Sequence, residues 1–202
     1  MKKIAITGSI GAGKSHIVKL LNEQHGIPVF NCDKEARKLQ EEDPYTKNAI
    51  IQWLGHSVYD FGEVDVKAMG EALFGNDANL KRMEALLAGP IMANFHKFCY
   101  EHQYRMKDKV PFVLYENAIL MNNKSYATFD GVIVVDADTD IRLERVMTNR
   151  GVSEEYFNSR NNKQRSVMYI RAMLENKRVP DFVIKNNGGD LDLKELIDFC
   201  TY

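Results

Sequence analysis

Residues Gly8 to Ser15 read Gly-Ser-Ile-Gly-Ala-Gly-Lys-Ser and carry every fixed position of the pattern G-x-x-x-x-G-K-[ST]. No other feature of the chain narrows its fold so far. The turn follows the apolar run Lys3 to Thr7 and leads into Ser15 to Gln24, where Ile17, Val18, Leu20 and Leu21 recur at helical spacing. A strand that delivers a glycine loop to the first turn of a helix gathers backbone N–H groups and the positive end of a helix dipole around one point, an arrangement suited to phosphate. Gly8, Gly11 and Gly13 let the backbone approach the anion without an intervening Cβ. Lys14 is placed to reach β- and γ-phosphate oxygens, and the Ser15 hydroxyl to ligate Mg²⁺. Gly11, Ala12, Gly13, Lys14, Ser15 and His16 are therefore the expected nucleotide-binding residues.

Four further runs read as strands: Pro28 to Asn31, Pro111 to Glu116, Gly131 to Asp136 and Asp181 to Lys185. Runs as continuously apolar as Val132 to Val135 suit strands covered on both faces, the habit of parallel sheets. Helical patterns alternate with them, over Lys34 to Glu41, Thr46 to Leu54, Val66 to Phe74, Leu80 to Tyr104, Thr139 to Asn149 and Leu191 to Phe199. The expected fold is α/β, a P-loop NTPase fold with a five-stranded parallel sheet flanked by helices. A single domain over 1–202 is expected, with its core at about 1–42, 110–148 and 179–202. The span 43–109 is far longer than an ordinary crossover and reads as a helical insertion over an acceptor site. The span 149–178 holds Arg150, Arg160, Lys163, Arg165, Arg171, Lys177 and Arg178 among few apolar clusters and reads as a basic lid.

Composition excludes more than it selects. A formal net charge of −1 supplies no global attraction to nucleic acid or anionic membrane. Cys32, Cys99 and Cys200 are odd in number and widely spaced, so neither disulfides nor a structural zinc is expected. The opening Met-Lys-Lys-Ile-Ala-Ile-Thr-Gly lacks a signal-peptide core, and no stretch reaches membrane-spanning length. A soluble, cytoplasmic protein acting on a small molecule is expected, and its oligomeric state is not legible.

After the second predicted strand comes Asn31-Cys32-Asp33-Lys34-Glu35-Ala36-Arg37. The C-terminal edge of such a sheet is where ligands bind. A carboxylate there can take a proton from an attacking hydroxyl, with Arg37 one helical turn on to hold or orient the acceptor. Asp33 is equally placed to cap the helix, with Arg37 as its ion-pair partner.

Beyond these segments, the chain resembles the dephospho-coenzyme A kinase family over nearly its whole length. The resemblance rests on ITGSIGAGKS, on PVFNCDKEAR, on VIVVDA followed by a helix with Arg142, Arg145 and Arg150, and on the closing FVIKNNGG. It implies ATP and Mg²⁺ as cofactors and the ribose 3′-hydroxyl of dephospho-CoA as acceptor. It also implies Asp33 as general base, Arg37 as an acceptor-site residue and Arg150 as a lid arginine near the phosphates. Asn186, Asn187 and Gly188 become the turn beside the adenine, and Glu116 a carboxylate that holds a Mg²⁺-bound water. The catalytic set so implied is Lys14, Asp33 and Arg150; Asp33, Arg37 and Glu116 would serve the acceptor.

The sequence departs from the family pattern mainly on the acceptor side. His16 stands where Thr is usual, Leu87-Ala88-Gly89-Pro90 replaces an element with Leu-His-Pro, and Asn122 stands at a usual Glu. The stretch from Gln164 to Asp181 is several residues longer. Such changes keep open a nucleoside or deoxynucleoside monophosphate kinase on the same fold, and a nucleotide-binding protein without turnover. Among the arginines from Arg142 to Arg178, Arg150 and Arg145 are the functional candidates and most of the others are expected in solvent. His25, His56, His96 and His102 show no metal-ligand spacing.

Overall fold

The structure is a computed structural model, described here for residues 1–74, 76–104, 110–122, 124–189 and 191–202. In chain order its main elements are β1 (Lys2–Gly8), α1 (Lys14–His25), β2 (Val29–Asn31), α2 (Cys32–Glu42), α3 (Pro44–Leu54), β3 (Tyr59–Asp60), β4 (Glu63–Val64), α4 (Val66–Phe74) and α5 (Asp77–Tyr104). There follow β5 (Phe112–Glu116), β6 (Gly131–Asp136), α6 (Thr139–Arg150), α7 (Glu154–Asn161), α8 (Val167–Asn176), β7 (Asp181–Lys185) and α9 (Lys194–Thr201). The chain divides into two compact units, Met1–Phe30 with His102–Tyr202, and Asn31–Glu101.

The first unit is built on a five-stranded sheet in the order β2-β5-β1-β6-β7. Its pairings are parallel. Lys2 to Ile6 lie opposite Phe112 to Glu116, Ile4 to Gly8 opposite Gly131 to Val135, and Val132 to Asp136 opposite Asp181 to Lys185. That register brings the ends of β1, β5, β6 and β7 to one edge, so Gly8, Glu116, Asp136 and Lys185 emerge together. Ile4, Ile6, Ile17, Leu21, Phe112, Leu114, Ile133, Val135 and Leu196 form one buried cluster between sheet and helices. Each such side chain contributes roughly 1.5–3 kcal/mol on burial, which fixes the floor from which the edge loops rise. All five strands expected from the sequence are present, with the connections that make the P-loop fold.

The second unit has its own core of Leu39, Ile50, Val58, Val64, Met69, Met83 and Leu87, with Trp53 and Ile91 packed against it. Sequence pattern groups α2 with the sheet core, but Leu39 packs with Ile50 and Val58, so the second unit begins at Asn31 rather than near 43. The far boundary expected at 109 lies outside the described residues. Asp43 caps α3 by accepting from the Thr46 N–H at 2.8 Å, with Pro44 at the start of the helix, where its missing N–H costs nothing. Between α3 and α4 the hairpin β3–β4 pairs Tyr59 with Val64 and Asp60 with Glu63. Its two-residue strands are too short to leave a period in the sequence. The span 149–178 is largely helical: Ser153 caps α7 and Ser166 caps α8, each through a side-chain oxygen.

Candidate active site

The loop between β1 and α1 closes on itself before it offers anything to a ligand. The Ala12 N–H donates to the Ser9 carbonyl at 3.0 Å, and the His16 and Ile17 N–H groups to the Gly13 carbonyl at 3.0 and 3.2 Å. Among the described residues, the backbone N–H groups of Gly11, Gly13, Lys14 and Ser15 have no protein acceptor. Four donors at a glycine loop and helix N-terminus form an anion cradle. Ala12 and His16, expected as ligand contacts, use their backbone N–H groups to shape the loop, and the His16 side chain is exposed.

Two glycines of the loop are required by what surrounds them. Gly11 has φ +78°, and a Cβ on it would sit 2.4 Å from the Arg142 carbonyl oxygen; Gly13 has φ +87°, and a Cβ there would sit 2.1 Å from the Asn186 Nδ2. Both conformations and both contacts exclude a side chain.

Lys14 and Ser15 converge on Glu116 at the end of β5. The Lys14 ammonium forms an ion pair with the Glu116 Oε1, and the Ser15 hydroxyl donates to the same oxygen at 3.3 Å. Glu116 is only 6% exposed, so its charge is set against that of Lys14 in a poorly solvated place. Hydroxyl and carboxylate are the hard oxygen donors that Mg²⁺ prefers. Among the described residues no group of three or more His, Cys, Asp and Glu could hold a metal ion. The oxygens of Ser15 and Glu116 fit an ion such as magnesium, which keeps phosphate and water oxygens for most of its shell.

Behind the loop, Asn186 ties it to β7. The Asn186 side chain is buried and donates through Nδ2 to the Ala12 carbonyl at 3.0 Å, while its backbone N–H donates to the Asp136 carbonyl at 2.7 Å. Arg145 Nη1 donates to the Asn186 carbonyl at 2.8 Å. Asn186, expected beside the base, thus uses its side chain on the phosphate loop. The next residue, Asn187, exchanges two hydrogen bonds with Asp138, and Lys185 pairs with the Asp138 carboxylate at 2.9 Å. The Lys185 bond above all holds that carboxyl below its ordinary range.

Arg142, not singled out for function among the arginines from Arg142 to Arg178, is 7% exposed. Its guanidinium donates to the Ala137 carbonyl at 3.0 Å, to Asn161 Oδ1 at 2.7 Å and to Thr139 Oγ1 at 3.1 Å, and lies over the Phe157 ring. Burial pulls its pKa down, and the charge of Asp136 opposes that pull. The overlooked signal is its spacing from Val146, four residues on and also buried, which puts the two on one face of α6. Arg150 ends α6 and is exposed, about 12 Å along the axis from Arg142 at 1.5 Å per residue. Arg142 and Arg145 are the α6 arginines that lie against the loop and its support.

In the second unit, Asn31 is the cap of α2, accepting from the Lys34 N–H at 2.9 Å. Arg37 pairs with Glu41 at 2.9 Å. Neither half of the capping alternative for Asp33 is realised, and its exposed carboxylate engages no side chain among the described residues. Gly89 lies within α5, and a Cβ built on it meets nothing within 4 Å.

Comparison with known proteins gives the family and the fold. A family model described as dephospho-CoA kinase matches residues 2–192. The dephospho-CoA kinase of Thermobifida fusca is 30% identical over 194 residues, covering 96% of this chain and 91% of its own. That of Streptococcus agalactiae is 28% identical over 197 residues, covering 97% and 95%. Among solved structures, Thermus thermophilus TT1252 superposes with a TM-score of 0.71 at 26% identity, covering 93% of this chain and 90% of its own. Dephospho-CoA kinase from Campylobacter jejuni shares the fold with a TM-score of 0.54 at 21% identity, covering 98% and 92%. The chain belongs to the dephospho-CoA kinase family and is an ATP-using P-loop kinase.

Proposed function

We propose that this kinase transfers the γ-phosphoryl group of ATP to the ribose 3′-hydroxyl of dephospho-CoA, giving coenzyme A. The observation that carries the reading is the cradle of four unpaired N–H groups, at Gly11, Gly13, Lys14 and Ser15, in a chain matched by the family over residues 2–192. The cradle and Lys14 would hold the β- and γ-phosphates, and Lys14 would offset charge that builds on the transferred group. Mg²⁺, when bound, would supply charge neutralisation at the β- and γ-phosphates; Ser15 would ligate it and Glu116 would hold it through a water. Arg145 is already beside the loop. Arg150, at the far end of α6, would serve as the lid arginine only by moving toward the phosphates.

Asp33 would act as general base. It stands in the first turn of α2, with Asn31 relieving it of the capping role, so its carboxylate remains able to accept the proton of an attacking hydroxyl. Arg37, paired with Glu41, would help to hold the acceptor. A cytoplasmic location suits the reaction and the absence, among the described residues, of any helix long and apolar enough to cross a membrane.

The test is ADP release by the purified protein from ATP and Mg²⁺, with dephospho-CoA beside a panel of nucleoside monophosphates. Turnover with dephospho-CoA and formation of coenzyme A are expected. Turnover confined to a monophosphate would replace this acceptor with another.

A further inference from the structure

The turn between α7 and α8 lies against the phosphate loop through two amide side chains. Gln164 Oε1 accepts from the Ile10 N–H at 2.7 Å. Arg142 Nη1 donates both to Asn161 Oδ1 at 2.7 Å and to the Ile10 carbonyl at 3.4 Å. The turn is itself closed by backbone bonds from Lys163 to the Arg160 carbonyl and from Gln164 to the Asn161 carbonyl, at 3.2 and 3.1 Å. Asn161 and Gln164 thus leave it at fixed places.

Ile10 is a telling position to hold. A peptide unit is planar, so the Ile10 carbonyl and the Gly11 N–H point to opposite sides of one rigid plate. Arg142 holds the carbonyl end of that plate, and the other end is a donor of the phosphate cradle. The preceding plate, Ser9 to Ile10, is held at both ends: Ser9 accepts from the Ala12 N–H at 3.0 Å, and Ile10 donates to Gln164. Glycine at position 11 supplies little conformational preference of its own, so the direction of its N–H depends on these outside contacts.

We propose that Gln164 is a positioning residue for the triphosphate: with Asn161 and Arg142 it fixes the two peptide planes at Ile10 and so aims the Gly11 N–H at the phosphates. This rests on the reading of the loop as the ATP site. Gln164 acts through the backbone of Ile10, so its loss changes phosphate affinity and leaves acceptor and base recognition alone.

The experiment compares wild type, Gln164→Met and Lys14→Ala in the 202-residue chain. Methionine keeps the length of glutamine and removes its strong acceptor. ATP binding is read by calorimetry, turnover by steady-state kinetics, base recognition by adenosine inhibition and stability by melting. For Gln164→Met, the Kd and KM for ATP should rise about five- to tenfold, the scale of one lost hydrogen bond. Its kcat, KM for dephospho-CoA, adenosine inhibition and Tm should stay near wild type. An unchanged ATP Kd in Gln164→Met beside a crippled Lys14→Ala overturns the role of Gln164 alone, as does an equal loss of adenosine inhibition. A wild-type protein that binds no ATP, or a fully active Lys14→Ala, overturns the loop assignment and this inference with it.

Discussion

The ammonium of Lys14 rests on the carboxylate of Glu116, and the Ser15 hydroxyl donates to the same oxygen. The side chains assigned to phosphate and metal are therefore already bound to one another, and a nucleotide must exchange partners with them. Lys14→Ala should lower kcat by about 10²-fold or more, the scale of losing one preorganised charge partner, with little change in fold by circular dichroism. Glu116→Gln should loosen the hold on Lys14, so ATP without metal binds more tightly while metal-supported turnover falls. Weaker metal-free ATP binding in Glu116→Gln would show that the ion pair does not compete with the nucleotide.

Asn31 caps α2 and Asp33 does not. Asp33→Asn should therefore leave Tm and ATP affinity near wild type while slowing transfer by about 10²-fold or more, the scale of general-base catalysis. Asn31→Ala should do the reverse and lower stability by about 1 kcal/mol. Thermal melts and single-turnover rates on the two variants separate the roles, and a large loss of Tm in Asp33→Asn would make Asp33 structural.

Gly13 has Asn186 where a Cβ would go. Gly13→Ala should abolish measurable ATP binding, because clash and positive φ act together. Adding Asn186→Ala removes the clash and leaves the backbone strain, so the double variant should recover only part of the affinity. Full recovery in a titration would show that strain at Gly13 is negligible.

Gly89 is a helix-interior glycine facing open space. Pro90 follows it in the helix, and a proline ring crowds the Cβ of the residue before it, so Gly89→Ala should gain less than the roughly 0.5–1 kcal/mol of an ordinary helix-interior exchange, seen as a small rise in denaturant midpoint with an unchanged slope. A lowered midpoint would reveal a neighbour that needs the gap.

Burial pushes the Cys200 thiol up to about 12 from its ordinary 9.0. Unfolded chain ionises this thiol from about pH 9 while folded chain does not, so between those two values the folded state binds more protons and stability falls as pH rises. The loss of Tm between pH 8 and 10.5 should be smaller in Cys200→Ala than in wild type. Equal losses would remove Cys200 from the alkaline response.

What could be read from the sequence follows a physical line. Strands β1, β5 and β6 were legible as apolar runs buried on both faces, the less buried β2 and β7 as short runs rich in aromatic and β-branched residues, and the cradle because its glycines, lysine and serine stand at fixed offsets. Helices α7 and α8 were not: α7 buries Phe157 among mostly polar and charged residues, and α8 buries Ile170 and Leu174 but leaves Met168 and Tyr169 exposed, so neither shows a clean apolar stripe. Arg142 was also concealed: an arginine on a charged helix looks solvated until its four hydrogen-bond acceptors and the Phe157 ring are seen. Asn31 and Asp33 stood two residues apart at one helix start, and only backbone geometry chose the cap.

The sheet order carries a consequence for how the protein is made. Strand β1 is the first to leave the ribosome, yet its two neighbours, β5 and β6, begin at Phe112 and Gly131. During synthesis β1 has neither neighbour until β5 emerges and only one until β6 follows, whereas Asn31–Glu101 already contains every residue of its own core. A nascent chain should therefore gain order in its middle before its beginning, and acquire nucleotide affinity only late in translation.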